Sequence, residues 1–306
     1  MMRESLRKKG RVTRMKESNK DQYLLKSLDS ALTVLQLFEG GQALSLGQVV
    51  QRSGMEYVGP FTFGASRFLL GALALLPLAL RPMEAGKRKK SFLAGLPCGV
   101  LLFLGSSLQQ LGLQTTSAGK AGFLTALYIV LVPLLGLLAK QRVRATVWTA
   151  AMLGAAGLYL LCAGGTSGFA SGDLLLILCA LMFAFHIQLV GRVAVGTDGI
   201  ALSCSQSFVT AGLSAVVMLF TETPQIAPLL DCLPMILYGG IGSIAIGYTL
   251  QIVAQRHTPP AVASVMMCLE SAFAALSGWI FLGEAFSVQE GTGAALMLAA
   301  ALLSQF

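Results

Sequence analysis

The chain has 306 residues, of which 55% are hydrophobic and only 12% are charged, and its formal net charge is +8. Soluble globular domains contain about 25% charged residues, so this composition excludes an ordinary water-soluble domain and indicates a membrane protein. The basic residues lie in short polar stretches between apolar runs rather than along one face, so nucleic acid is not expected as a partner.

The N-terminal region is the least regular part of the sequence. Residues 1–23 are basic and lack the apolar core and cleavage site of a signal peptide, so we expect a cytoplasmic tail. Residues 24–50 would have to supply a first membrane helix, but they contain Lys26, Asp29 and Glu39. Each charge at the centre of a membrane helix costs about 2.5–3.5 kcal/mol on insertion scales, so helix one is predicted to be degenerate.

Nine apolar runs follow, each long enough to cross a bilayer as a helix. The predicted spans are 61–81, 91–113, 118–139, 145–163, 173–191, 199–220, 232–253, 259–281 and 287–304. Together with the atypical first helix they predict an all-α polytopic membrane protein of about ten transmembrane helices.

Basic residues are concentrated on alternate connections between the spans. The tail, the loop 82–90 and the turn 140–144 are rich in Lys and Arg, whereas the opposite side has only Arg52 and Lys120. Cytoplasmic loops carry the excess of Lys and Arg, so both termini are expected in the cytoplasm. The predicted location is the cell (inner) membrane, with the lipid bilayer as the surroundings of the spans.

The sequence contains a weak internal echo at an offset of 141 residues. The stretch "LQQLGLQTTSAGKA" aligns with "TLQIVAQRHTPPAV", which pairs Gln110 with Gln251. The echo favours two five-helix halves, 24–163 and 173–306, arranged as inverted repeats with a binding site between them.

Three stretches resemble a known family: "GPFTFGASRFLLGALALLPL" (59–78), "GLQTTSAGKAGFLTALYIVLVPLLGLL" (112–138) and "RHTPPAVASVMMCLESAFAALSGWIFLGEAFSVQEGTGAALMLAA" (256–300). On these residues the chain resembles the EamA-type transporters of the drug/metabolite transporter superfamily. The resemblance implies ten helices in two five-helix repeats and cytoplasmic termini. Residues 24–50 lack the continuous apolar first helix that is usual in that family, which leaves a non-transporting remnant as an alternative.

Two charged residues lie within predicted spans, where an unpaired charge is costly. Glu270 is the midpoint of 259–281. It could line a cavity and contact an amino group or carry a coupling proton, or it could be a protonated acid that bonds to an adjacent helix. Arg67 lies six residues into 61–81 and could reach the outer interface, or pair with a carboxylate or a substrate anion.

Four other polar side chains are candidates for the same site. Gln110 and Gln251 could join helices or bind a zwitterionic ligand, since an amide offers both a donor and an acceptor. His186 could be a packing residue or a proton relay, and the hydroxyl of Tyr248 could reach a cavity or serve packing.

Small residues predict close contacts between helices. Gly95 and Gly99 form a small-xxx-small pair, and Gly239, Gly242 and Gly247 lie along another span. Such positions allow close approach of two backbones in a membrane, so we expect helix packing at both sets.

The sequence thus predicts a secondary transporter, an exporter of a small metabolite such as an amino acid, that works by alternating access. A polytopic membrane enzyme is the alternative, but the sequence has no HExxH, Walker or Ser/His/Asp pattern. No enzyme activity, cofactor or metal site is expected. A proton is one candidate coupling ion, and the coupling ion, the direction of transport and the oligomeric state are left open.

Overall fold

The computed structural model describes residues 46–116, 118–162, 170–273 and 287–305. The predicted tail at 1–23 and most of the predicted degenerate helix one lie outside these residues. Throughout the described ranges every regular element is a helix.

The α-helices are α1 (Leu46–Tyr57), α2 (Pro60–Ala79), α3 (Ala85–Leu113), α4 (Ala118–Ala126), α5 (Tyr128–Leu138), α6 (Ala145–Cys162), α7 (Ser171–Val193), α8 (Gly199–Thr221), α9 (Ile226–Asp231), α10 (Leu233–Leu237), α11 (Thr249–Gln255), α12 (Pro260–Met267) and α13 (Val288–Leu303). A π-helical segment, Tyr238–Tyr248, joins α10 to α11. Below it is called the π segment.

Seven stretches in the described part of the chain are long and apolar enough to cross a membrane. They are Pro60–Ala79, Gly86–Leu113, Lys120–Leu138, Ala145–Cys162, Ser171–Val193, Gly199–Thr221 and Leu233–Gln255, and each matches one predicted span. The prediction of an all-α, multi-pass membrane protein is confirmed. The number of about ten helices and the inverted repeat stay predictions.

The two remaining apolar helices are shorter within the described residues, Pro260–Phe273 and Val288–Leu303. The rest of the predicted span 259–281 lies outside those residues. Helix α1 has 12 residues. At 1.5 Å per residue it is about 18 Å long, too short to cross a hydrocarbon core of about 30 Å by itself.

Local sequence signals explain where several helices begin. Pro60 and Pro260 lie in the first turns of α2 and α12, where the missing N–H of proline leaves no hydrogen bond unmade. The Asp198 carboxylate accepts a hydrogen bond from the Ala201 amide and caps α8. Ser287 caps α13 in a capping box with Glu290.

Helices α3 and α8 pack closely through the glycines that the sequence singled out. A Cβ added at Gly95 would lie 2.9 Å from the carbonyl oxygen of Leu202, and one at Gly99 would lie 2.7 Å from that of Gln206. Neither position has room for a side chain, so the predicted packing role of Gly95 and Gly99 is confirmed.

The end of the bundle that carries the basic loops is held by polar contacts around the loop between α7 and α8. The Arg81 guanidinium forms an ion pair with Asp198, with an N–O distance of 2.9 Å. Arg256 donates to the carbonyl oxygen of Thr197 at 2.6 Å. We call this end the basic end.

Candidate functional site

A cavity of about 460 Å³ lies inside the bundle, between helices of both predicted halves. Residues of α1, α3, α4, α5, α7, the π segment, α11 and α12 form its wall, and Glu270 reaches it from the helical stretch after α12. The polar wall residues are Gln51, Gln109, Thr125, Tyr128, His186, Tyr238, Ser243, Tyr248, Gln251, Glu270 and Ser271.

The π segment supplies one whole side of this wall. Its wall residues come at spacings of four and five, namely Tyr238, Gly242, Ser243, Gly247 and Tyr248. The segment has hydrogen bonds from i to i+5, so its winding is wider than that of an α-helix. The two tyrosines at its ends, ten residues apart, both line the cavity.

Among the described residues, Gly242 and Gly247 make no close contact with another helix, in contrast to the predicted packing. A Cβ added at Gly242 would meet nothing closer than the Tyr238 ring at 3.8 Å, and one at Gly247 only the Gly242 carbonyl oxygen at 3.6 Å. Both glycines line the cavity instead. The close contact with α2 is made by Gly240, whose added Cβ would lie 2.9 Å from the carbonyl oxygen of Arg67.

Glu270 is exposed and lines the cavity, as one of its two predicted roles requires. Three tyrosines, Tyr128, Tyr238 and Tyr248, line the same cavity. The carboxylate therefore shares its wall with phenol rings and hydroxyl groups. Such surroundings suit a cationic group, because an ammonium is attracted both by the carboxylate and by aromatic faces.

His186 is buried at the wall and has a partner. One of its ring nitrogens lies 3.1 Å from the amide oxygen of Gln206. Its ring meets the Tyr248 ring edge-on, with centroids 6.1 Å apart. His186 thus helps to hold Tyr248 in the wall while it also lines the cavity.

The two predicted glutamines take different places. Gln251 lines the cavity and its amide nitrogen lies 3.4 Å from the amide oxygen of Gln255. Gln110 is buried behind the wall, and its amide nitrogen has no partner among the described residues. Its neighbour Gln109 is the residue of α3 that reaches the cavity.

Arg67 is buried within the bundle, with 4% of its surface exposed. The carbon of its guanidinium lies 5.5 Å from the centre of the Phe63 ring and 5.0 Å from that of Phe68. It is outside the cavity wall but interacts electrostatically with Tyr248, which is part of that wall.

On the side of the basic end, a packed layer lies next to the cavity. The Gln188 amide donates to the carbonyl oxygen of Val132 at 2.8 Å and accepts from the Gln141 amide at 3.0 Å. The Gln255 amide donates to the carbonyl oxygen of Ile187 at 3.1 Å. These bonds join α5, α7 and α11, and the described residues are tightly packed there.

Comparison with known proteins identifies the family. The model of the EamA-like transporter family matches residues 33–163 and 170–306, which is most of the chain. The chain belongs to the EamA-like transporter family. The match begins at residue 33, within the segment predicted to form the degenerate first helix.

Relatives of this EamA-like protein are transporters whose substrates are not stated. An uncharacterized transporter of Archaeoglobus fulgidus is 30% identical over 256 residues, which cover 83% of this chain and 79% of the relative. One of Clostridium kluyveri is 23% identical over 285 residues, which cover 88% and 89%. A solved crystal structure has the same fold, with a TM-score of 0.67 at 19% identity, over 92% of this chain and 96% of the other.

Sequence reasoning missed several residues of the site in this EamA-like protein. Tyr128 and Tyr238 face Glu270, but a tyrosine in an apolar run carries no signal of its own. Gln206 lies in the middle of α8, and as a buried amide in a membrane span it could have been singled out. Gln51 lies on α1, beside the segment whose helix was in doubt.

Proposed function

We propose that this EamA-like protein is a secondary transporter that exports a small metabolite, such as an amino acid or a related compound, by alternating access. The observation that carries the proposal is the position of Glu270 on a cavity of about 460 Å³ inside the membrane bundle. Pockets of about 300–1,000 Å³ are typical of small-molecule sites, so the size suits a metabolite.

Glu270 is the group that we propose for binding and coupling. A carboxylate in a membrane protein is stabilised by a cation or by a proton, and its removal from water is costly without either. The amino group of a substrate and a proton would therefore compete for Glu270. That competition would couple substrate export to proton entry.

The conformation supports a cycle with two accessible sides. The hydrogen bonds of Gln188 and Gln255 and the ion pair of Arg81 with Asp198 tie helices together at the basic end. We propose that this end is cytoplasmic, as the charge pattern predicts, in the cell (inner) membrane. The state described is then closed to the cytoplasm, and export requires these bonds to open.

The test is efflux from vesicles. The purified chain is reconstituted in liposomes loaded with amino acids, and efflux is followed by mass spectrometry with and without a proton gradient. We expect efflux that the gradient accelerates. Glu270→Gln should abolish the response to the gradient, and Glu56→Gln, on the exposed surface of α1, is the matched control.

The outcomes separate this proposal from its alternatives. Chemical turnover of a solute without flux would support a membrane enzyme. The absence of both flux and turnover would support a non-transporting remnant. Unchanged transport and pH dependence in Glu270→Gln would contradict the role of Glu270 while leaving transport itself intact.

A further inference from the structure

A buried guanidinium whose Nε has no hydrogen-bond acceptor among the described residues lies beside the cavity wall. Arg67 is 96% buried, since only 4% of its surface is exposed. Its Nε is fully enclosed and has no partner among the described residues. The ion pairs between described residues join Arg81 to Asp198 and Lys120 to Asp173, and neither includes Arg67.

The aromatic neighbours of Arg67 do not supply the missing hydrogen-bond acceptor. Phe63 and Phe68 lie within 5.5 Å of the guanidinium carbon and attract its charge through their ring faces. A phenylalanine ring, however, accepts no ordinary hydrogen bond, whereas a guanidinium presents five N–H donors. The rings therefore hold the side chain in place without accepting a hydrogen bond from its Nε–H.

Two glycines lie close to Arg67 and to Gln110. On the π segment, Gly239 faces the Arg67 side chain, and a Cβ there would lie 3.4 Å from its Cδ. One turn earlier on α2, Gly64 faces the amide oxygen of Gln110, at 3.2 Å from an added Cβ. The amide nitrogen of Gln110 is likewise enclosed without a partner among the described residues. The Nε–H of Arg67 and the amide N–H of Gln110, both without an acceptor among the described residues, thus lie near the same stretch of α2.

Tyr248 links this region to the cavity. It lines the cavity wall with Glu270, and it packs against the buried cluster that contains Phe68, whose ring centre lies 5.0 Å from the Arg67 guanidinium carbon. A molecule lying across Tyr248 would have the Glu270 carboxylate near one end and the Arg67 guanidinium near the other.

We infer that Arg67 is an anion subsite of the transport cavity and that the substrate carries a carboxylate that binds there. The inference rests on the proposed transport function and deepens it. The planar, two-pronged carboxylate matches the fork of the guanidinium and supplies acceptors for its free donors. With the ammonium at Glu270, the substrate class is a zwitterion with separate cationic and anionic ends.

The test uses amino acids and their amides as matched probes. Liposomes containing the full chain are loaded with the twenty proteinogenic amino acids or with the corresponding carboxamides, which keep the ammonium and side chain but lack the anion. Efflux is measured by mass spectrometry. We expect at least one amino acid to leave at least tenfold faster than its amide.

Variants of Arg67 test whether this residue causes the preference for the amino acid over its amide. Arg67→Gln should lower efflux of that amino acid at least tenfold and leave efflux of its amide unchanged. Arg67→Lys should be intermediate, because it keeps the charge without the fork. Arg192→Gln, on the exposed surface of α7, is the control for loss of one positive charge.

Each result separates the proposed anion subsite from another explanation. Equal efflux of amides and amino acids by the unaltered chain overturns the inference but supports transport. An equal loss of both in Arg67→Gln assigns Arg67 a structural role only. If Arg67→Gln does not fold, the comparison of acid with amide in the unaltered chain decides alone. No efflux from either set contradicts the proposed function and this inference with it.

Discussion

Thr62 and Glu222 join the start of α2 to the end of α8. The Glu222 carboxylate accepts hydrogen bonds from the Thr62 amide at 2.8 Å and the Thr62 hydroxyl at 2.6 Å. It also accepts one from the Phe61 amide at 2.8 Å. Gly59 makes this possible, because a Cβ there would lie 2.2 Å from the carboxyl carbon. A residue 160 positions away thus caps α2.

Removing this cap should destabilise the fold. We expect Glu222→Ala to lower the free energy of unfolding by about 1–2 kcal/mol, because the first N–H groups of α2 lose their acceptor. Glu222→Gln should lose less, since its amide oxygen can still accept. Unfolding in detergent measures the difference, with Glu56→Gln as the control. A Glu222→Ala variant as stable as that control would contradict this prediction.

Two neighbouring glycines of the π segment should respond in opposite ways to the same change. Gly240→Ala should cost about 1–3 kcal/mol of stability, because its Cβ would lie 2.9 Å from the Arg67 carbonyl oxygen. Gly242→Ala should leave stability unchanged, since its nearest neighbour would be 3.8 Å away, and should slow transport of the bulkiest substrates. Equal unfolding temperatures for the two variants would refute the assignment of Gly240 to packing.

The ion pair at the basic end should restrain opening there. Arg81 is half-exposed, so the pair is worth only about 0.2–1 kcal/mol. We therefore expect Arg81→Gln to speed amide hydrogen exchange in the loop 194–198 by up to about fivefold. Lys89→Gln, an exposed charge on α3, should leave that exchange unchanged. An unaltered rate in Arg81→Gln would show that the pair does not hold this loop.

Asp198, at the cap of α8, should make stability depend on pH. Burial by itself would raise the pKa of Asp198, but the hydrogen bond from the Ala201 amide and the charge of Arg81 hold it below its ordinary value. A lowered folded pKa contributes stability above the unfolded value of about 3.9 and loses it as the pH falls through the folded value.

The corresponding variant is Asp198→Asn, which keeps a capping oxygen but lacks the charge. At pH 7 it should be less stable than the unaltered chain by about 1 kcal/mol or less, because Arg81 is half-exposed to solvent. The gap should close as the pH falls below about 3.9. Denaturant unfolding in detergent at several pH values tests this, and a gap that is constant with pH would count against it.

The spans were predictable because the length of an apolar run is a local property, and proline or aspartate marked several helix starts. Glu270, His186, Tyr248 and Gln251 were predictable members of the site, since each is a polar group within such a run, and the cavity brings them together. Tyr238 was not, because its direction depends on the π winding.

The position of the Arg67 side chain could not be predicted from the sequence alone. Its distance from the end of its span left the interface and the interior as equal alternatives. In the structure its side chain packs near Gly239, on a helix far away in the chain, where an added Cβ would lie 3.4 Å from the Arg67 Cδ. Contacts between distant helices of this kind are not encoded in the periodicity of either one.

The π segment makes the site more sensitive to the length of the chain than to its composition. Tyr238 and Tyr248 both reach the cavity wall across the ten residues of this winding. Deleting one residue between them would rotate Tyr248, and Gln251 with it, around the helix axis. Substitutions change the chemistry of the wall one group at a time, whereas a single deletion would remove a whole side of it.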